Sequence, residues 1–250
     1  MRIAFVLTAD NATLTTEEVI AAYREIAPSG PVLLADVSDA TKENMVTFKL
    51  GKSDAVHVAA MPAPVPEGEA DEAAQYSITS LGTGWELPEH GAHFVVALQE
   101  GEEHSAVDSL RLLTRVVAAV AKASDAVGVY WGDAHATHEP EFFIDVARDD
   151  LPVMLWTGLS IASEENDRLS LLSMGMDQLN LPDLMLTSPQ QGANEALRFF
   201  FDMLVFVIRR EAALPDGDTI GRKPGEKLPI RYVTSPADED AQVWRVDFPG

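Results

Sequence analysis

Four of the six histidines fall in two identical spacings, and these are the clearest candidates for chemistry in this sequence. The pairs, with the acids that flank the second one, are His90-x-x-His93 and Asp133, His135-x-x-His138, Glu139. Imidazole and carboxylate groups are suitable ligands for zinc, iron or manganese. The loop around His135 and His138 is therefore a candidate site for a divalent transition metal.

The first histidine pair fits a shared metal less well. His93 begins a predicted strand, and residues three apart on a strand point to opposite faces. The two imidazoles would meet one ion only if His90 lies in a turn. Ordinary loop histidines beside a helix N-terminus are the favoured explanation of the spacings, and a metal site is the alternative.

Other familiar catalytic arrangements are missing from the sequence. It contains no cysteine, which excludes thiol nucleophiles, Cys-ligated zinc, iron–sulfur clusters and disulfides. It has no Walker lysine pattern and no nucleophile-elbow serine, and Gly82-Thr83-Gly84 lacks a third glycine. Asp216-Gly217-Asp218-Thr219 lacks the remaining positions of an EF-hand loop, so we expect a turn there. We therefore predict no catalytic residue and no bound cofactor, with the metal as the alternative.

Acidity is the extreme property of the composition. The formal net charge of −22 argues against binding to nucleic acid phosphates or to anionic membranes. Residues 51–100 hold eight acids and one base. The candidate partner-binding residues at the centre of this block are Glu67, Glu69, Asp71 and Glu72. They predict a negative patch for a basic protein, while general solubility or salt adaptation is the alternative explanation.

Apolar runs and cap residues predict the elements that would position these groups. The predicted strands are 3–8, 32–37, 44–50, 55–61, 93–98, 126–131, 152–161, 169–174, 184–187, 230–234 and 243–248. The predicted helices are 16–26 behind a Thr15 cap, 106–123 behind a Ser105 cap, 139–147 and 191–212. The pattern indicates a mixed α+β fold of repeated β-α-β-β units, that is, ferredoxin-like modules with long helices packed on mixed sheets.

We expect one compact domain over residues 1–250, built of two or three such modules. Three prolines and four acids within residues 62–72 predict an exposed, acidic, Pro-rich loop. The N-terminal apolar run is too short for a signal-peptide core, and the most apolar window, 199–208, is too short to span a membrane. These features favour a cytoplasmic location.

The last predicted helix carries apolar residues nearly all round its axis. Such a helix is buried on several sides, which favours a central core helix between sheets. The alternative is that one flank is exposed and serves as a partner or dimer surface. Asp202 would need Arg198, four residues back, if it were buried.

Several stretches together resemble one bacterial family. They are Ala126-Val127-Gly128-Val129-Tyr130-Trp131-Gly132, Gly175-Met176-Asp177 with Leu181-Pro182-Asp183, and Asp216-Gly217-Asp218-Thr219-Ile220-Gly221. They look like the family catalogued as domain of unknown function 4261, and the resemblance is most specific over roughly the C-terminal half. Because that family has no established activity, the resemblance implies no catalytic residue.

The sequence thus favours a non-enzymatic, cytoplasmic interaction protein, of an immunity-like or secretion-associated kind. Its expected partner is a basic protein, and a homo-oligomer is left open. The competing hypothesis is a metal-binding domain or metal-dependent enzyme that uses His135 and His138.

Overall fold

The computed structural model describes residues 1–36, 45–50, 54–101 and 104–249. The chain divides into two compact units, Met1–Trp156 and Thr157–Gly250. Each unit combines a β-sheet with helices, so the fold is mixed α+β, as predicted.

The first unit is built on one antiparallel sheet. Its described strands are β1 (Arg2–Thr8), β2 (Leu33–Ala35), β3 (Met45–Leu50), β4 (Asp54–Met61), β5 (Ala92–Gln99), β6 (Gly128–Trp131) and β7 (Ala136–His138). They lie in the order β2-β3-β4-β5-β1-β6-β7, and each neighbouring pair is antiparallel. The predicted hairpin pairs Leu50 with Asp54, and its connection lies outside the described residues.

Helices of the first unit follow the cap and spacing signals of the sequence. They are α1 (Thr16–Ile26), α2 (Glu69–Ala73), α3 (Ile78–Thr83), α4 (Ala106–Ala123), α5 (Pro140–Val146) and α6 (Val153–Trp156). Thr15 and Glu18 form a capping box at α1, and Ser105 caps α4 by accepting the backbone N–H of Asp108. The apolar face of α4 packs against α1 and against β1, β5 and β6.

The second unit contains a mixed sheet and one long helix. Its elements are β8 (Gly158–Glu164), β9 (Arg168–Met174), β10 (Leu184–Pro189), α7 (Ala193–Arg210), β11 (Thr219–Ile220), β12 (Leu228–Thr234) and β13 (Gln242–Asp247). The strand order is β11-β12-β13-β10-β9-β8, and β10 and β13 are parallel. α7 packs on β9 and β10 through buried residues that include Phe200 and Leu204.

Two predictions differ from the structure. The segment 152–161, expected to be a strand, begins with helix α6 and becomes a strand only at Gly158. Pro152 directly precedes this helix, a position where a missing backbone N–H is tolerated. The segment 62–72, expected to be an exposed loop, contains a 3-10 helix at Pro66–Gly68 and most of α2, because its apolar residues find a core to pack on.

The sequence predicts one compact domain of two or three similar modules, and this organisation stays a prediction. In the described parts of the chain, each strand pairs within its own unit. The boundary residues Trp156 and Thr157 are both buried, and neither belongs to a glycine-, proline- or serine-rich linker. Composition therefore gives no signal for a boundary there.

Among the described residues, the helices are too short or too polar to cross a lipid bilayer.

Candidate functional site

The acidic segment exposes four carboxylates from a short helical stretch. We name the four exposed residues the acidic face, and they are Glu67, Glu69, Asp71 and Glu72. Glu69, Asp71 and Glu72 lie in the first turn of α2, where carboxylates are favoured by the helix dipole. Glu67 and Gly68 adopt positive φ values of 59° and 73°, which turn the chain from the 3-10 helix into α2.

The other side of the segment is apolar and buried. Val65, Ala70 and Ala73 pack against Leu7 of β1 and Tyr130 of β6. Ala70 has no exposed surface, and Val65 is 4% exposed. Tyr130 pairs with Phe5 of β1, and Phe5 and Leu7 lie on the same face of that strand because alternate residues of a strand share a face. The pleat of the sheet therefore brings Leu7 and Tyr130 to one face.

Two histidines, one just before β5 and one within it, also hold this segment. The Nδ1–H of His93 donates to the carbonyl oxygen of Ala63 at 2.8 Å, and the backbone N–H of Val65 donates to Nε2 of His90 at 3.4 Å. Burial lowers the pKa of His93 below its ordinary value. The first histidine pair is thus brought together by a backbone segment that both imidazoles contact.

No described cation neutralises the acidic face. None of its four carboxylates forms an ion pair with a described lysine, arginine or histidine. The hydroxyl of Tyr130 lies 3.4 Å from Oε2 of Glu69. Burial, and then the charge of Glu69, raise the pKa of Tyr130. The face therefore keeps its negative charge directed toward solvent.

The residues of the predicted metal site are spread over different environments. Asp133 and His135 are exposed, and Asp133 lies in a 3-10 helix (Gly132–Ala134) that ends at His135 with a φ of 49°. His138 is fully buried in β7, and Glu139 is the residue before α5. His135, at a positive φ, connects the 3-10 helix to β7, and the two histidines of this pair differ in exposure.

Both ring nitrogens of His138 already have protein partners. Nε2 donates to the carbonyl oxygen of Leu155 at 3.2 Å, which leaves Nδ1 to accept the hydroxyl of Ser77 at 3.2 Å. Burial lowers the pKa of His138 to about 4, so the imidazole is neutral near pH 7. Ser77 in turn caps α3, which makes this buried pair a structural link between α3, β7 and α6.

The described residues contain no group of three or more histidine, aspartate or glutamate side chains placed to hold a metal ion. The metal hypothesis for Asp133, His135, His138 and Glu139 stays a prediction, and no ligand geometry in the described part of the chain supports it.

A second surface feature, which we name the α7 groove, lies in the second unit. It has a volume of 670 Å³ and runs between one face of α7 and the segment that follows the helix. The helix contributes Glu195, Arg198, Phe199, Asp202, Met203, Phe206 and Arg210, and the facing segment contributes Leu214, Asp218, Thr219, Ile220, Gly221 and Arg222. The volume is in the range of ordinary ligand pockets.

The groove shows why the favoured interpretation of this helix was wrong. Phe206 is 43% exposed and Asp202 is exposed, so α7 has an open flank and is not enclosed on all sides. The open flank is the alternative interpretation of the sequence. The sequence does not predict that the segment after α7 forms a second wall beside this flank. The expected turn at Asp216-Gly217 is confirmed, with Gly217 at a φ of 81°, and it begins that second wall.

Comparison with known protein families gives one match. Residues 172–247 match the family model described as Domain of unknown function (DUF4261). The resemblance predicted from the sequence is confirmed over this DUF4261 segment, which includes two of the three quoted stretches and the whole α7 groove. The stretch at 126–132 and the acidic face lie outside it. No curated protein and no solved structure matches the chain.

Proposed function

We propose that this chain is a non-enzymatic protein–protein interaction module that binds a basic partner through its acidic face. The observation that carries the proposal is the fixed presentation of Glu67, Glu69, Asp71 and Glu72. The segment that carries them is held by a buried apolar side and by bonds from His90, His93 and Thr137 to neighbouring backbone groups, and the four acids are exposed without a described cation.

This arrangement favours binding for two physical reasons. A segment that is already ordered loses little conformational entropy when a partner binds. A cluster of like charges steers an oppositely charged partner and accelerates its association, an effect that falls as salt rises. Simple solubility would be served as well by carboxylates on mobile side chains anywhere, and it does not require a helical segment anchored at both ends.

The test compares two variants of equal charge. The four-acid variant carries Glu67→Gln, Glu69→Gln, Asp71→Asn and Glu72→Gln. The matched control removes four other exposed carboxylates with Asp149→Asn, Glu165→Gln, Glu211→Gln and Glu239→Gln. Both variants have lost the same net charge, so a general electrostatic effect would weaken binding equally in the two.

The immobilised full chain is used to capture proteins from its native cells at low and moderate salt, and the captured partner is then titrated in purified form. We expect a basic protein whose affinity falls roughly tenfold or more in the four-acid variant, since each exposed ion pair contributes about 0.2–1 kcal/mol. The matched control should bind within about twofold of the natural chain. Capture of no specific protein, or equal loss in both variants, would overturn the proposal.

A further inference from the structure

The α7 groove has an apolar floor and an exposed aromatic ring at its surface. Phe199 and Met203 are buried on the helix side, and Leu214 is buried on the facing side. Phe206 remains 43% exposed, with the guanidinium carbon of Arg210 5.3 Å from the centre of its ring. An exposed phenylalanine beside an apolar groove is a typical anchor of an interaction site.

The wall of the groove opposite α7 is held in place by Arg222. Its Nη1 lies 2.8 Å from Oε1 of Glu195, which joins the wall to the start of α7. Its guanidinium carbon stacks 4.5 Å from the centre of the buried Phe248 ring. The side chain of Glu226 accepts further hydrogen bonds from the same guanidinium, and this contact lowers the pKa of Glu226 to about 2. The groove is thus formed before any ligand arrives.

Four charged residues of α7 line the groove. Glu195 pairs with Arg222, and the three that remain, Arg198, Asp202 and Arg210, alternate in sign along the helix. Arg198 and Asp202 are both exposed, and neither forms an ion pair or side-chain hydrogen bond with any described residue, although they are four residues apart. Arg210 stacks on Phe206 with its charge exposed. From Arg198 to Arg210 the helix rises about 18 Å, at 1.5 Å per residue. This order of charges, positive, negative, positive, is complementary to a ligand whose charges run negative, positive, negative.

An amphipathic helix of a partner protein satisfies both the apolar floor and this charge order. Helices of three to four turns commonly bind apolar grooves through residues spaced three and four apart. A simple acyl chain fits less well, because hydrocarbon laid along the groove would desolvate the carboxylate of Asp202 without pairing it.

A second copy of this chain fits less well for an electrostatic reason. Antiparallel pairing of two α7 helices about the middle of the groove would place Arg198 of each copy opposite Arg210 of the other. Like charges in direct opposition oppose association. The alternation therefore favours a different sequence as the occupant.

We propose that the α7 groove binds an amphipathic helical segment of a partner protein, with a basic residue opposite Asp202 and acidic residues opposite Arg198 and Arg210. This site is distinct from the acidic face, which lies in the other unit. The acidic face is proposed to bind a basic protein, whereas the groove is proposed to bind a segment of alternating charge. Phe206 is the central apolar contact.

The probe is a fluorescein-labelled peptide of about 18 residues, long enough to be partly helical alone. It carries leucines at alternating three- and four-residue spacing, a lysine at its centre and a glutamate near each end. A second peptide has the same leucines with the charges exchanged. Fluorescence anisotropy with the full chain measures both affinities.

We expect the first peptide to bind at least tenfold more tightly than the charge-exchanged one. A triple variant, Arg198→Glu, Asp202→Lys and Arg210→Glu, should reverse this preference. Phe206→Ala should weaken binding about thirtyfold, as expected for an aromatic anchor. Ile161→Ala, which truncates a side chain of similar exposure elsewhere in the unit, should leave the affinity unchanged.

Equal binding of the two peptides, or no binding of either, would overturn the proposal. Self-association of the chain that is abolished by Phe206→Ala would overturn it in favour of a second copy. The four-acid variant should bind the first peptide normally, so that failure of the groove and failure of the acidic face can be told apart.

Discussion

The hydroxyl of Thr137 donates a hydrogen bond to the carbonyl oxygen of Ala70 at 2.6 Å, and it thereby joins β7 to the first turn of α2. Both residues are fully buried. Ala70 lies between Glu69 and Asp71, so this bond fixes the backbone from which the acidic face projects. A hydroxyl on one short strand therefore orients carboxylates on a segment 67 positions earlier in the chain.

Thr137→Val should destabilise the first unit by about 0.5–1.5 kcal/mol, because it removes the buried hydrogen bond that the Ala70 carbonyl oxygen accepts from the side chain. The change is measured by urea unfolding of the full chain, followed by tryptophan fluorescence. Thr137→Ser keeps the hydroxyl and loses one buried methyl group, so any loss of stability in the serine variant measures the methyl group and not the hydrogen bond. If the valine variant proves as stable as the natural chain, the bond does not hold the segment.

Sequence reasoning was accurate where a single element carries its own signal. The cap residues Thr15 and Ser105 located the starts of α1 and α4, and strand β5 was placed to within one residue at each end. It was incomplete at residues 62–72: most of this segment is exposed as expected, but the proline and acid content masked two apolar residues, Val65 and Ala70, whose core contacts lie in β1 and β6. No local pattern in the sequence shows that Ala70 will find Leu7.

The histidine spacing also shows that residue spacing alone does not predict which side chains form a site. His135 and His138 are only three residues apart, yet one is exposed and the other is fully buried. His135 ends a 3-10 helix with a positive φ, whereas His138 lies in the buried strand β7, and the spacing alone does not show this difference. Likewise, Arg198 and Phe206 become part of a groove only when the segment after α7 returns alongside the helix.

The buried imidazole of His138 should make the folded state less stable in mild acid. Its pKa is about 4 in the folded protein and about 6.5 when unfolded, so the unfolded state binds the proton more readily between these values. Stability should therefore be complete above about pH 6.5 and fall as the pH approaches 4. Between about pH 7.5 and about pH 5, the expected loss from this group is roughly 2 kcal/mol.

Urea unfolding at the two pH values measures this loss. His138→Gln should lower stability near neutral pH and reduce the difference between the two pH values. His135→Gln, which replaces the exposed histidine of the same pair, should leave that difference unchanged. An unchanged difference in the His138→Gln variant would show that other groups cause the acid sensitivity; His93, whose pKa is also lowered by burial, would then be the first candidate.

Gly221 should be intolerant of any side chain, because a Cβ atom there would lie 2.4 Å from the carbonyl oxygen of Glu226. That oxygen belongs to the backbone, so Gly221→Ala must displace the chain at a cost of about 1–3 kcal/mol. Hydrogen exchange of the Ile230 amide, which donates to the carbonyl oxygen of Asp218 at 2.9 Å, reports on this wall directly. We expect exchange to become about tenfold faster or more.

The same substitution at Gly82 provides the comparison, since no atom lies within 4 Å of a Cβ built at that exposed position of α3. Gly82→Ala should leave the Ile230 amide unchanged and stabilise α3 by about 0.5–1 kcal/mol. If Gly221→Ala exchanges at the natural rate, the wall can shift without cost and does not hold the groove open. If exchange accelerates and affinity for the leucine-bearing peptide falls with it, the fixed wall and the binding of a partner helix depend on the same close approach of Gly221 to Glu226.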